Sequence, residues 1–174
     1  MARKIQSATE LQATLKKLAQ AVCKKEGNLA NLALVGIRTR GAVLAQRLQV
    51  QIKALKKITL PLGILDITLY RDDLTSIASQ PVVKQTEIPF TLEGKGILLV
   101  DDVLYTGRTI RAAFDALIDF GRPGFIKLLC LVDRGWREFP IQPDYVGVRL
   151  ETKREDNVKV HLKEIDGNDG ISIV

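Results

Sequence analysis

Apolar residues recur along this chain with two different periods, and the periods alternate. Leu11, Leu15, Leu18 and Val22 fall at helical spacing behind Ser7 and Thr9, which predicts an amphipathic helix near 9–25 with a side-chain N-cap. Leu32 to Ile37 is a short apolar run that reads as a strand, and Gly41 opens a second helix through Leu44, Leu48 and Ile52. Ile58 to Thr68 is strand-like, with Pro61 and Gly63 marking a bent or edge strand. Another apolar strand begins at Ile97. A helix through Ile110, Phe114 and Leu117 stops at Gly121 and Pro123, and Phe125 to Val132 supplies a fourth core strand. This alternation implies an α/β fold: a mostly parallel central sheet flanked by helices, with ligands beyond the strands' C-terminal ends.

Two stretches leave the alternation. Residues 70–87 are polar and aperiodic around Pro81, which suggests a long flexible loop acting as an active-site lid. From Arg134 to Val174 the pattern gives short strands without a helix, as in a small C-terminal subdomain with a hood near 134–156. His161 there reads as a solvent-facing strand residue.

Composition narrows the classes. At 174 residues the chain fits one domain, 1–174, able to bury roughly 70% of its unfolded surface without staples. Cys23 and Cys130 lack metal-ligand spacing and His161 is the one histidine, which excludes a zinc cluster and fits thiols in a reducing compartment. MARKIQSATE carries no apolar signal segment and no apolar run reaches membrane-spanning length, so the expectation is a cytoplasmic protein. Residues 1–60 hold twelve Lys or Arg against only Glu10 and Glu26, in a chain of net charge +6. That basic third suits a polyanion, pyrophosphate or RNA, and equally suits a solvated helix face at Lys16, Lys17, Lys24 and Lys25.

The chemistry concentrates in the run Ile97 to Thr109, where an apolar strand ends in Asp101-Asp102 and a Thr-Gly turn opens a helix. The first turn of a helix carries free amide donors and partial positive charge, so Tyr105, Thr106, Gly107, Arg108 and Thr109 form a seat for a phosphate. Ionised carboxylates only accept hydrogen bonds, so Asp101 and Asp102 suit vicinal hydroxyls elsewhere on the ligand. Phosphate at one end and diol at the other describe a ribose 5-phosphate. Either half alone occurs in many α/β proteins without a ligand, but the two joined within thirteen residues are specific. The run has no Lys-Ser or Lys-Thr after the glycine and is not a Walker loop. Gly36-Ile37-Arg38-Thr39-Arg40-Gly41, at the end of the first core strand, could clamp a pyrophosphate or be an ordinary basic turn. Asp66 to Asp73 leads into the lid, and Arg71 there could cover a departing pyrophosphate.

The acidic run resembles the phosphoribosyl pyrophosphate (PRPP) signature of type I phosphoribosyltransferases. GIRTRG, DITLYRDD, ILLVDDVLYTGRTIRA, LVDRGWRE and PDYVG, in this order from about residue 5 onward, resemble the PyrR family. Its members are bifunctional pyrimidine operon attenuators that are also uracil phosphoribosyltransferases. The resemblance implies a type I phosphoribosyltransferase-like fold and the reaction of uracil with PRPP, with Mg²⁺, to give UMP and pyrophosphate. It further implies that Thr39 and Arg40 contact pyrophosphate, with Arg38 and Arg71 helping to stabilise the leaving charge. Asp101 and Asp102 would hold the ribose hydroxyls and, with PRPP, the metal, while Val103 and Leu104 lead into the 5-phosphate seat at Tyr105 to Thr109. Val132, Asp133, Arg134, Tyr145 and Val146 would surround the base. Purine-type relatives carry an acid where Tyr105 stands, so its absence favours a pyrimidine. A cis non-proline peptide is implied near Ile37-Arg38.

The family also binds a stem-loop of pyrimidine-operon mRNA when UMP is present, which here would fall to Lys16, Lys17 and Arg137, and it forms homodimers and homotetramers. This chain departs from the family at Trp136, where histidine is usual, and at Gln142 and Val148, where basic residues are common. Trp136 is either packed or a surface on which a base stacks. Two other readings stay open: an RNA-binding attenuation regulator with little catalysis, and a phosphoribosyltransferase for another base.

Overall fold

The computed structural model describes residues 3–72 and 85–174. In chain order the elements are β1 (Arg3–Gln6), α1 (Ala8–Lys25), β2 (Leu32–Ile37), α2 (Arg40–Lys56), β3 (Leu62–Leu65), β4 (Gly96–Leu104) and α3 (Arg108–Asp119). There follow β5 (Phe125–Asp133), β6 (Tyr145–Arg149), β7 (Val158–His161), α4 (Lys163–Asp166) and β8 (Gly170–Ile173). Strands β3-β2-β4-β5-β6 make one parallel sheet in that order, and β1-β8-β7 make a separate antiparallel sheet.

The continuous apolar runs at 32–37 and 97–100 follow from strands buried on both faces. Leu32 and Leu34 of β2, with Leu98 and Val100 of β4, pack against Leu15 and Leu18 of α1 and Leu44 and Leu48 of α2. Ala33, Val35, Ile97 and Leu99 face Ile110, Ala113 and Leu117 of α3. Helix α1 starts where the sequence places it, because Ser7 and Glu10 form a reciprocal capping box: the Ser7 amide donates to the Glu10 carboxylate at 2.7 Å and the Glu10 amide to Ser7 Oγ at 3.4 Å.

Three features differ from the sequence expectations. The N-terminal segment is a strand, β1, whose partner β8 lies at the other end of the chain. Tyr145–Arg149, inside the span expected as a hood, is the fifth strand of the central sheet, paired with β5. The C-terminal stretch expected to lack helix holds the one-turn α4. Residues 73–84 of the expected lid lie outside the described residues. Its ends are placed: Tyr70 closes a 3-10 turn, and Glu87 bridges to Ile64 of β3.

Candidate active site

Three chain segments meet beyond the C-terminal ends of β2, β3 and β4 in a cleft of about 380 Å³. They are Ile37 to Arg40, Asp66 to Thr68 with Arg71, and Asp101 to Val103 with Thr109. Their closeness depends on glycine. A Cβ on Gly41 would stand 2.4 Å from the Val100 carbonyl oxygen, and one on Gly36 would stand 2.5 Å from that of Gly41. Only at that spacing can the first turn of α2 press against the strand that carries the acid pair.

The loop between β2 and α2 holds a cis peptide at Arg38–Thr39, one bond later than expected. The Arg38 guanidinium donates to the Gln85 carbonyl at 2.9 Å and to the Glu87 carboxylate at 2.9 Å, so it ties the loop to the far end of the expected lid. Arg40 Nη2 donates to Asp166 Oδ1 at 2.8 Å, and its buried Nε has no hydrogen-bond partner among the described residues.

The acid pair ends β4. Asp101 is buried, and loss of solvent, followed by the charge of Asp102, pushes its carboxyl well above the usual range. Burial raises Asp102 too, against the pull of the Val103 amide, which donates to Asp102 Oδ1 at 2.9 Å, and of Arg40. Two adjacent carboxylates of this kind are hard oxygen donors suited to Mg²⁺ that keeps most of its shell from substrate oxygens and water. No cluster of three or more His, Cys, Asp or Glu side chains able to hold a metal ion occurs among the described residues.

Beyond the pair, Gly107 at φ 93° turns the chain into α3. Thr109 reaches the cleft, whereas Arg108 is drawn outward: its Nη1 donates to Asp72 at 2.5 Å and its Nε to Glu138 at 2.7 Å. The Thr106 carbonyl accepts from the Glu138 and Phe139 amides, fixing the turn to the segment after β5. Leu104 is buried in the core.

The residues expected around the base separate. Val132 lies in the core. The Asp133 carboxylate is filled by the Arg137 guanidinium at 2.6 Å, that of Arg149 at 3.0 Å and the Gly135 amide at 3.1 Å. Arg134 lies over the Tyr105 ring at 4.1 Å and donates to the carbonyls of Asp156 and Lys153. It also lines a second cleft with Trp136, Leu150 and Thr152. Along β6 successive side chains point to opposite faces, so Val146 packs on the α3 side while Tyr145 turns toward α1, its hydroxyl donating to Glu26. Tyr145 therefore offers no buried surface to a base, and the fifth strand explains why.

Among the expected RNA contacts, Lys16 and Lys17 are exposed on α1. Arg137 is mostly buried, donating to the Tyr105 and Ile141 carbonyls as well as to Asp133, and so props the turn that leads into α3. Trp136, at φ 62°, donates its indole N–H to the Thr152 carbonyl at 2.8 Å while staying about half exposed. The sequence reading did not single out Thr68 or Asp166. Thr68 is fixed by Asp66, whose Oδ1 accepts from its amide at 2.9 Å and its hydroxyl at 2.5 Å, inside a motif read only as the approach to a lid.

No helix among the described residues is long and apolar enough to cross a membrane. The model of the phosphoribosyl transferase domain family matches residues 2–165. The bifunctional protein PyrR of Pelotomaculum thermopropionicum is 52% identical over 94% of this chain and 91% of its own length. That of Elusimicrobium minutum is 52% identical over 100% of this chain and 97% of its own. A crystal structure of a hypoxanthine-guanine phosphoribosyltransferase from Bacillus anthracis superposes with a TM-score of 0.72 over 99% of this chain and 98% of that one. At 20% identity that match speaks for the fold, whereas the PyrR matches speak for the lineage. The chain belongs to the phosphoribosyl transferase domain family and, within it, to the bifunctional PyrR proteins.

Proposed function

We propose that this cleft transfers a phosphoribosyl group from PRPP to uracil, giving UMP and pyrophosphate. The observation that carries the reading is the acid pair at the end of β4, Asp101 buried and Asp102 half-buried, walled by an arginine loop on one side and the start of α3 on the other. Asp101 and Asp102 accept hydrogen bonds from the ribose hydroxyls, and Tyr105 to Thr109 receive the 5-phosphate at the helix terminus. Thr39 and Arg40 meet the diphosphate, with Arg38 and Arg71 bordering it. As the bond from C1 to the leaving oxygen stretches, the ribose gains oxocarbenium character and the diphosphate gains charge. The arginines stabilise that charge, and Asp101 and Asp102 hold the sugar in place while it develops. Asp101 and Asp102 would hold Mg²⁺ brought with PRPP, and the ion would supply further charge neutralisation. The base sits against the segment that follows β5, with Arg134 beside it. The test is turnover with PRPP and Mg²⁺ across uracil, hypoxanthine, guanine and orotate. UMP from uracil supports the assignment, and preference for another base rejects it.

Regulation by RNA belongs to the same reading. Lys16 and Lys17, exposed on α1, and the half-exposed indole of Trp136 are the groups we assign to a pyrimidine-operon mRNA stem-loop, with UMP as the co-ligand. Arg137 supports the phosphate turn instead of reaching the RNA directly. UMP-dependent binding whose affinity falls steeply with salt is expected, and salt-insensitive binding or none removes this role. The free thiols of Cys23 and Cys130 suit the cytoplasm, and exposed Ile118, Phe120 and Phe125 suit assembly as a homodimer or homotetramer.

A further inference from the structure

The C-terminal segment Lys163 to Asp169 grips helix α2 at two points one heptad apart. At the first, Arg40 Nη2 meets Asp166 Oδ1 at 2.8 Å. At the second, Arg47 donates to both oxygens of Asp169 at 2.7 and 3.0 Å and through Nε to Glu164 at 2.9 Å. Positions 40 and 47 share a helix face, so both arginines point at the same acidic turn. The two contacts nonetheless differ. Arg47 is surrounded by acids and its charge is satisfied within the fold. Among the described residues Arg40 has one carboxylate contact and a buried Nε without a partner, and it lines the cleft beside Asp102.

Asp166 is itself held rigidly. Its Oδ2 accepts from the Leu162 amide at 2.8 Å while its own amide donates to the Leu162 carbonyl at 2.7 Å. The Leu162 amide, with Arg40 adding to it, keeps the Asp166 carboxyl below the usual range and therefore ionised. An arginine side chain has several rotatable bonds, and a guanidinium anchored at one nitrogen has less entropy to lose when it meets an anion.

We infer that Asp166 is a positioning residue for the transfer reaction: by holding Arg40 at the mouth of the cleft it makes the C-terminal turn part of the diphosphate site. The inference rests on the proposed role of Arg40 toward the diphosphate, and it reaches beyond it to a residue 126 positions away in the chain. Asp166 touches neither substrate nor metal and acts only through Arg40.

The decisive measurement is calorimetric binding of PRPP and of pyrophosphate, each with Mg²⁺ and without any base, to the full-length chain and its variants. Asp166→Asn keeps an acceptor for the Leu162 amide but loses the charge that holds Arg40, and is expected to weaken both ligands about tenfold. In an Arg40→Gln background the same change should add nothing, since the residue it works through is gone. Asp169→Asn loosens the Arg47 grip alone and should lower the melting temperature while leaving both affinities in place. Asp166→Glu restores the charge and should recover part of the affinity, and it decides the matter if the asparagine variant does not fold. Unchanged or tighter binding by folded Asp166→Asn overturns the inference, as does an equal loss in Asp169→Asn. A wild-type chain that binds neither PRPP nor pyrophosphate overturns the transferase reading as well. A chain that binds both but does not use uracil leaves the role of Asp166 standing.

Discussion

At the end of β4, buried Asp101 and half-buried Asp102 lie side by side, and loss of solvent lifts both carboxyls above their ordinary range. In the turn 164–169, Arg47 holds Glu164 and Asp169 below theirs, and the Leu162 amide, followed by Arg40, does the same for Asp166. Both regions are short acidic runs in a basic protein, yet the fold treats them oppositely. Acids whose charge is already met by arginine act as fasteners. A pair drawn out of water and left short of positive charge is costly to keep, and the proposed function gives a reason for it: the ligand would bring hydroxyls and a cation of its own.

The largest expected effect separates the two regions by activity. Asp101→Asn and Asp102→Asn should each lower kcat/KM for PRPP by about 10²- to 10³-fold, with a melting temperature equal to or above that of the parent. Near-normal turnover, or a stability loss as large as that of Arg47→Ala, would erase the contrast. Arg47→Ala is the converse test, expected to cost about 2 kcal/mol of stability by stranding Glu164 and Asp169, while turnover per folded molecule is retained. Thermal unfolding beside steady-state rates reads both quantities.

Tyr145→Phe sharpens the comparison from outside it. It should cost about 1 kcal/mol by removing the hydroxyl from Glu26 and should leave the KM for uracil unchanged, and a raised uracil KM would return Tyr145 to the base pocket. The gentlest effect is that of pH. Because the carboxyls of the 164–169 turn are lowered on folding, their stabilisation is present above the ordinary carboxylate range and is lost as pH falls through the lowered values. The melting temperature of the parent should hold down to about pH 5 and drop below about pH 4, and Arg47→Ala should show a shallower drop over the same interval.

Much of this architecture was legible in the chain, for reasons that can be named. Helix α1 announces itself through Leu11, Leu15, Leu18 and Val22 and a Ser7–Glu10 cap, all local signals. β2 and β4 are doubly buried and therefore read as unbroken apolar runs. The acid pair, the arginine loop and the Gly107 turn are each contiguous, and the cleft gathers part of each. What was hidden depends on distance or on alternation. Arg3–Gln6 has no periodicity to reveal it and becomes a strand only against β8. Tyr145 and Val146 are adjacent in sequence but lie on opposite faces of one strand, so a motif match could not say which faced a ligand. The Arg40–Asp166 contact joins two ordinary surface residue types far apart in the chain and leaves no local trace.

The missing side chain at Gly41 carries a practical lesson for anyone redesigning this enzyme. With the Val100 carbonyl already 2.4 Å from where a methyl group would stand, even alanine would wedge the arginine loop and the acid pair apart. The junction behaves as a machined joint with zero clearance. The second cleft, lined by Arg134, Trp136, Leu150 and Thr152, has no such seam and leaves more room for substitution.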